Sequence, residues 1–109
     1  MKMAYVHHEG KAYAYLRYEP DVQSVAILAE VHVLGGYQGR GWGSELLRQI
    51  TADADASGVV LMLSVEPGPE GLTRNELTAW YSRYGWEPVR NEAREVEPDI
   101  LCRLPHAAM

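Results

Sequence analysis

Apolar and polar residues alternate along the first third of the chain with the two-residue period of β-strands. Residues 3–8 and 11–18 are rich in Tyr and Val, and residues 9–10, Glu-Gly, separate them. This pattern predicts a β-hairpin with a tight turn. The Glu-Pro-Asp sequence at residues 19–21 ends its second strand, and a third strand is predicted over residues 24–33.

The period of two also predicts which residues of the third strand share a face. One face carries small and β-branched residues, namely Val25, Ile27, Ala29, Val31 and Val33. The other face begins with Ala26 and Leu28 and ends with Glu30 and His32. A face that turns from apolar to ionisable suggests that the strand opens into a cleft at its C-terminal end.

After the glycine-rich segment 35–43, apolar residues recur with the period of an α-helix. A first helix is predicted over residues 44–57, with Gly58 as its C-terminal stop. Its apolar stripe consists of Leu46, Leu47, Ile50 and Ala54. Residues 59–63 then form a nearly continuous apolar run, which predicts a central strand buried on both faces.

A second helix is predicted from Arg74, because Thr73 and Glu76 have the spacing of a capping box. The Pro- and Gly-rich residues 66–71 before it predict a loop, and Gly85 ends the helix. One face of this helix carries Leu77, Trp80, Tyr81 and Tyr84.

Residues 86–90 and 99–104 are predicted as two closing strands separated by Pro98. The element order is then β-β-β-α-β-α-β-β, and both helices follow strands, so at least one parallel crossover is expected. The predicted fold class is α/β (α+β), a mixed and mostly antiparallel sheet with two helices. Its 109 residues fit one domain.

Composition narrows the classes of partner. The net charge is −5 and Lys or Arg blocks are absent, which argues against nucleic-acid binding and suits a cationic partner. Neither a membrane-spanning apolar run nor a signal-peptide pattern is found, so we expect no membrane partner and a cytoplasmic location. Cys102 is the only cysteine and cannot form an internal disulfide. Its apolar neighbours predict burial.

The segment before the first helix carries the candidate chemistry. Backbone N–H groups at the start of a helix attract phosphate, and the helix dipole adds to this attraction. Glycines at positions 39, 41 and 43 would let the backbone approach a diphosphate closely. Arg40 would add a charge-assisted contact.

Three phosphate-binding patterns compete for this segment. The Walker loop needs a lysine directly before its Ser or Thr, and no lysine precedes Ser44. A dinucleotide fingerprint starting at Gly39 would need glycine where Ser44 stands. The pattern Gln/Arg-x-x-Gly-x-Gly/Ala is met by Gln38, Gly41 and Gly43. At these positions the sequence resembles the GNAT superfamily of N-acetyltransferases.

A second segment supports this resemblance, which extends over about residues 24–90. Tyr81, Gly85 and Trp86 match the family's Tyr-x-x-x-Gly-aromatic segment at the end of its last helix. The resemblance implies that acetyl-CoA is the acetyl donor and a primary amine the acceptor. It also implies that Tyr81 protonates the leaving thiolate.

The resemblance further implies how the donor would bind. The pantetheine arm would pair with the backbone of one strand, and the pyrophosphate would lie on the N–H groups of the loop. The cofactor-binding residues implied in this way are Val31, Val33, Gln38, Gly39, Arg40, Gly41, Trp42, Gly43 and Ser44.

A general base is needed because the attacking amine must lose a proton. Glu30 and His32 share a strand face near the implied acetyl position, and His32 has a suitable intrinsic pKa. Glu30 would act directly or through a water. The alternative is that both are ordinary solvated strand residues. The remaining histidines lack the spacing of metal ligands, so no metal site is predicted.

The chain departs from the family at its N-terminus, where most members have a further strand and one or two helices. Without these helices the acceptor side is expected to be open, which favours a protein lysine over an enclosed metabolite. A second subunit, as in a homodimer, would be another source of the missing wall. The compact layout resembles very small members that modify protein lysines, including a phage-encoded anti-CRISPR acetyltransferase. The alternatives are a non-catalytic acyl-CoA-binding module and an interaction domain without a cofactor.

Overall fold

A computed structural model of the chain describes residues 2–18, 24–66, 72–90, 93 and 95–106. Its elements follow the predicted order. The strands are β1 (Ala4–His7), β2 (Ala12–Tyr18), β3 (Val25–Val33), β4 (Val60–Ser64), β5 (Glu87–Arg90) and β6 (Val96–Arg103). The helices are α1 (Trp42–Ser57) and α2 (Arg74–Ser82). The predicted turn at 19–21 and most of the predicted loop at 66–71 lie outside the described residues.

All six strands form one sheet with the order β1-β2-β3-β4-β6-β5. β3 and β4 are parallel and are joined through α1, whereas the other neighbouring pairs are antiparallel. The predicted α/β class with a mixed, mostly antiparallel sheet is therefore confirmed, as is the parallel crossover.

Some predicted boundaries were wrong by a few residues. His8 belongs to a single 3-10 turn, His8–Gly10, that joins the hairpin strands. Helix α1 begins two residues earlier than predicted, at Trp42, with Gly41 as its N-cap. Pro98 lies within β6 rather than before it. The predicted stop at Gly58 is confirmed, since this residue has a φ of 67° and its N–H caps the last turn of α1.

The core lies between the two helices and one face of the sheet. Its largest fully buried side chains are Trp86, Tyr5, Leu46, Leu47, Ile50, Leu61 and Leu101. The opposite face, here called the open face, is covered by no helix of the described residues. It carries Val6, Tyr13, Tyr15 and Arg17, with Val6 and Tyr15 exposed by 61% and 45%.

The open face explains why β4 and Cys102 are less buried than predicted. β4 was predicted to be buried on both faces, but Val60 and Met62 are only half-buried while Leu61 and Leu63 are buried. Cys102, which pairs with Met62, is likewise half-buried. One side of these strands lacks a covering helix, so an apolar run does not guarantee two buried faces.

A β-bulge divides β3 at Ala29. Leu16 of β2 pairs with Leu28, but the adjacent Tyr15 pairs with Glu30, so Ala29 has no partner in the ladder. An extra residue of this kind reverses the side-chain alternation beyond it. The predicted assignment of β3 to two uninterrupted faces was therefore wrong.

The second half of β3 consequently has the opposite orientation from the first. Val31 and Val33 pair with Ala14 and Ala12, and pack against the core. Glu30 and His32 pair with Tyr15 and Tyr13, and face the open side. The bulge thus keeps the ionisable pair together while turning it away from Leu28.

Neither described helix has the combination of length and apolar character needed to cross a membrane.

Candidate active site

A cleft opens in the middle of the sheet where two parallel strands separate. β3 and β4 are paired from Val25 and Val60 to Ile27 and Met62, and no further pair follows among the described residues. The cleft between them has a volume of about 740 Å³, within the usual range for small-molecule sites. The backbone groups of β3 beyond Ile27 therefore border a cavity on the side where a neighbouring strand would otherwise lie.

Side chains from both faces of the sheet line this cleft. Leu63 and Tyr81 come from the core side, whereas Arg17, Glu30 and His32 come from the open face. Because the strands part, the cleft connects the two faces. Two reactants could therefore approach one another from opposite sides of the sheet.

The glycine loop continues from the rim of this cleft into α1. Gln38 lines the cleft, and Gly39 and Gly41 follow with φ values of 82° and 79°, which glycine adopts without strain. The first helical hydrogen bond runs from Glu45 N to Gly41 O. The preceding N–H groups thus lack helical partners, and the N-cap glycine offers no side chain to accept from them. This arrangement suits an anion.

Aromatic and cationic side chains pack around the loop. The rings of Tyr37 and Trp42 are stacked with their centroids 5.6 Å apart. The Arg40 guanidinium carbon lies 5.2 Å and 5.4 Å from the two ring centroids, and the Lys11 ammonium lies 5.0 Å from the Tyr37 ring. These contacts hold positive charge beside the N-terminus of α1 in a chain whose net charge is −5.

Helix α2 packs against the first turn of α1. The Trp80 indole N–H donates a 3.0 Å hydrogen bond to Ser44 Oγ. A Cβ at Gly43 would lie 3.7 Å from the Trp80 ring, so the two helices meet closely at this glycine. The predicted capping box is confirmed: Thr73 and Glu76 exchange side-chain hydrogen bonds with each other's backbone N–H.

Tyr81 is the buried residue of α2 and lines the cleft. Its ring packs edge-on against Trp86, with centroids 5.5 Å apart, and is tilted against Trp80 at 4.8 Å. Burial raises the pKa of Tyr81 to about 12 because the charged form would lose solvation. The phenol, which is protonated at neutral pH even at its ordinary pKa of about 10, therefore stays protonated over a wider pH range.

Glu30 and His32 lie beside tyrosines on the open face. The ring of His32 is 5.2 Å from that of Tyr13, which in turn is 5.2 Å from Tyr15. Desolvation, followed by the nearby Glu30 carboxylate, raises the pKa of Tyr13. Glu30 is solvent-exposed, so an incoming group can reach it.

A family model described as "Acetyltransferase (GNAT) domain" matches residues 2–88. The chain belongs to the GNAT acetyltransferase family. A search of curated proteins found none that matches it. The family resemblance drawn from the loop and the tyrosine segment is thereby confirmed.

Solved structures share this GNAT fold. The anti-CRISPR protein AcrVA5 is 17% identical with a TM-score of 0.65, and the match covers 91% of this chain and 96% of AcrVA5. The ribosomal-protein-S18-alanine N-acetyltransferase from Escherichia coli is 21% identical with a TM-score of 0.64, and the match covers 90% of this chain and 64% of that protein. The PaiA N-acetyltransferase from Thermoplasma acidophilum, solved with coenzyme A, is 14% identical with a TM-score of 0.58. That match covers 85% of this chain and 52% of PaiA. The GNAT chain thus spans nearly all of AcrVA5 but only part of the two larger proteins.

The residues singled out from the sequence are distributed around one site. Those lining the cleft are Glu30, Val31, His32, Val33, Gln38 and Tyr81. Residues 39–44 do not line it and instead extend from its rim into α1. Sequence reasoning missed Arg17 and Glu66, which also line the cleft. Arg17 was identifiable only as part of a strand, and Glu66 only as the first residue of a loop, so neither position indicated a site.

Proposed function

We propose that this GNAT protein transfers an acetyl group from acetyl-CoA to a primary amine by direct attack. The parting of β3 and β4 after Ile27 and Met62 carries this proposal, because it leaves one strand edge bordering the cleft. An extended ligand with amide groups can occupy such an edge in the manner of an added strand. Pantetheine is a ligand of this kind.

The acetyl donor would extend from this edge to the glycine loop. Backbone groups of Val31 and Val33 would bind the pantetheine amides, and N–H groups from Gln38 to Ser44 would hold the pyrophosphate. Arg40 would add positive charge, as would Lys11, which packs on the same Tyr37 ring. The side chains of Val31 and Val33 pack into the core, so only their backbone is available to the ligand.

The transfer step requires an acid and a base. The amine nitrogen attacks the thioester carbonyl carbon, a C–N bond forms, and the C–S bond breaks. Tyr81 would give its proton to the departing thiolate, since its phenol lines the cleft and is protonated at neutral pH. Glu30 or His32 would take the proton lost by the amine, directly or through a water.

The acceptor would enter from the open face. Glu30 and Glu66 line the cleft and would attract a cationic amine before its deprotonation. No helix of the described residues covers this side, which favours a lysine on a protein surface over a small enclosed metabolite.

Mass spectrometry tests this proposal directly. The protein is incubated with isotopically labelled acetyl-CoA and with polyamines, lysine peptides or a cell lysate, and acetylated products are identified. We expect an acetylated amine, and we expect Tyr81→Phe to lower kcat about 10²-fold, the lower end of typical acid–base contributions. Affinity for acetyl-CoA should change less than about twofold, because the ring is retained.

Tyr84→Phe is the matched control, since Tyr84 lies three residues after Tyr81, just beyond the end of α2, and does not line the cleft. It should retain wild-type turnover. Equal turnover in both variants would remove Tyr81 as the acid. Binding of acetyl-CoA without any acetylated product would instead identify a non-catalytic acyl-CoA-binding module, and absence of binding an interaction domain.

A further inference from the structure

Two histidines and a glutamate converge where the hairpin turn faces the first turn of α1. The metal-ligating atoms of His7, His8 and Glu45 all lie within 4.8 Å of one another. His8 Nε2 is 2.8 Å from one Glu45 oxygen, and His7 Nδ1 is 3.8 Å from the other. We propose that these three side chains form a Zn²⁺ site, with the fourth position left for water. Two imidazoles and one carboxylate are a donor set that Zn²⁺ takes in proteins.

The backbone turns both histidines toward α1. Successive residues of a strand point to opposite faces, so His8 would normally point away from the helix that His7 contacts. Instead His8 and Glu9 have φ values of 53° and 59°, in the left-handed region that residues other than glycine seldom adopt. Backbone strain of this kind clusters at ligand-binding positions. Here it brings the second imidazole beside the first.

His7 is held in the tautomer that a metal requires. Its Nε2 lies 2.5 Å from Gln49 Oε1, and an amide oxygen can only accept, so Nε2 carries the proton. The lone pair is then on Nδ1, which is buried and has no hydrogen-bond partner among the described residues. Metal-bound histidines characteristically donate their other N–H to an acceptor in this way.

Small side-chain adjustments would bring the donors to zinc geometry. Zinc bonds of about 2.0–2.2 Å to nitrogen and oxygen place tetrahedral donors about 3.3 Å apart. His8 Nε2 and His7 Nδ1 approach different oxygens of Glu45, and one ligating atom from each of the three residues lies within 4.8 Å of the others, so one carboxylate oxygen has to turn toward both imidazoles. The side chains of Glu45 and His8 are 44% and 34% exposed, so they can adjust, and an ion can enter from solvent.

The site adjoins the glycine loop. The His8 ring stacks on Trp42 with centroids 3.9 Å apart and an interplanar angle of 10°, and Trp42 is the first residue of α1. A bound ion would therefore tie the hairpin turn to the start of α1. It would also raise the melting temperature, because it binds the folded chain in preference to the unfolded one.

Calorimetric titration with ZnCl₂ tests the site, using the full chain after treatment with a chelator. We expect one Zn²⁺ per wild-type chain and a fall in affinity of at least tenfold in Glu45→Gln and in His8→Asn. His106→Asn is the matched control, because His106 is exposed and lies outside the cluster. It should bind as the wild type does. Absence of wild-type binding would overturn the proposal, as would undiminished binding in both ligand variants.

The ligand variants are chosen so that they keep the fold. Asparagine tolerates the left-handed backbone at position 8, and glutamine keeps the length of the Glu45 side chain. Circular dichroism and melting temperature in the presence of chelator will establish that each variant is folded. A zinc-dependent rise in melting temperature is expected in the wild type and in His106→Asn and should be absent in the other two. These readouts do not depend on acetyl transfer, so they can succeed or fail independently of the proposed enzymatic function.

Discussion

Gly41 is the N-cap of α1 and has a φ of 79°, yet a Cβ at this position would meet no heavy atom within 4 Å. A side chain here would therefore strain the backbone without clashing with neighbouring groups. Valine is β-branched and poorly suited to positive φ, so the loop should rearrange and its N–H groups should no longer converge. We expect Gly41→Val to weaken acetyl-CoA binding at least tenfold in calorimetric titration.

Gly35→Ala provides the control for this loop variant. Gly35 also has open space around its Cβ position, but its φ is not in the left-handed region. Affinity for acetyl-CoA should therefore stay within about twofold of the wild type. An equal loss in both variants would show that the loop responds to any side chain rather than to backbone strain at the N-cap.

Residue patterns revealed the loop but not the histidine cluster, for a physical reason. Gln38, Gly41 and Gly43 are close in sequence and their spacing is set by one turn of backbone. His8 and Glu45 are 37 positions apart, and they meet only because β1 packs beside α1 and His8 adopts a left-handed conformation. No local pattern encodes that meeting.

At the scale of elements, α2 has only nine residues and carries Tyr81 near its end. A helix this short has marginal intrinsic stability, so its capping box should contribute measurably to the free energy of unfolding. Thr73→Ala removes the hydrogen bond that Glu76 N–H donates to Thr73 Oγ1 but keeps the one that Thr73 N–H donates to Glu76 Oε1. It should lower the free energy of unfolding by about 1 kcal/mol. Urea denaturation followed by circular dichroism measures this difference.

Thr78→Ala separates the cap from a general effect of losing threonine. Thr78 lies in the middle of α2, where alanine is the better helix former. Its free energy of unfolding should therefore remain within about 0.5 kcal/mol of the wild type or rise. If Thr78→Ala destabilised the protein as much as Thr73→Ala, the capping box would not be the cause.

The bounds of a helix or strand could be predicted where a single periodicity runs through the segment. The side-chain orientation of a strand could not be predicted where the pairing register of the sheet changes. The capping box fixed the start of α2 at Arg74, and Gly58 fixed the end of α1. The bulge at Ala29 left no trace in the sequence, because an ordinary alanine can occupy it and the reversal of faces depends on pairing with β2. The parting of β3 from β4, on which the cleft depends, is likewise a property of the assembled sheet.

At the scale of the whole molecule, one ion pair joins the last strand to both helices. The Arg103 guanidinium makes hydrogen bonds of 2.7 Å and 3.0 Å to the two Asp55 oxygens, near the end of α1. Its Nε donates to Tyr84 O just beyond α2, and His106 N donates to Asp55. The Arg103 side chain is only 5% exposed and that of Asp55 is 26% exposed, so this bidentate pair is partly shielded from solvent and should matter more than a surface pair.

Breaking this pair gives a prediction with a definite pH dependence. Arg103→Met keeps much of the apolar stem but leaves Asp55 without its guanidinium, which should lower the free energy of unfolding by about 2 kcal/mol at pH 7, the usual value for hydrogen bonds to a charged group. The hydrogen bonds from Arg103 lower the pKa of Asp55. A lowered folded-state pKa contributes stability above the unfolded value of about 3.9 and loses it as the pH falls. The free energies of unfolding of the wild type and of Arg103→Met should therefore differ less at pH 3 than at pH 7.

Urea denaturation at pH 7 and pH 3 measures both differences. Arg83→Met is the matched control, since Arg83 is exposed at the end of α2 and should change the free energy of unfolding by less than about 0.5 kcal/mol at either pH. A difference in the free energy of unfolding between wild type and Arg103→Met that stays constant between the two pH values would mean that the loss comes from the Arg103 hydrogen bond to Tyr84 O rather than from the pair with Asp55. A difference that closes toward pH 3 would identify the charge pair with Asp55 as the contact through which Arg103 of β6 stabilises the packing of this strand against α1.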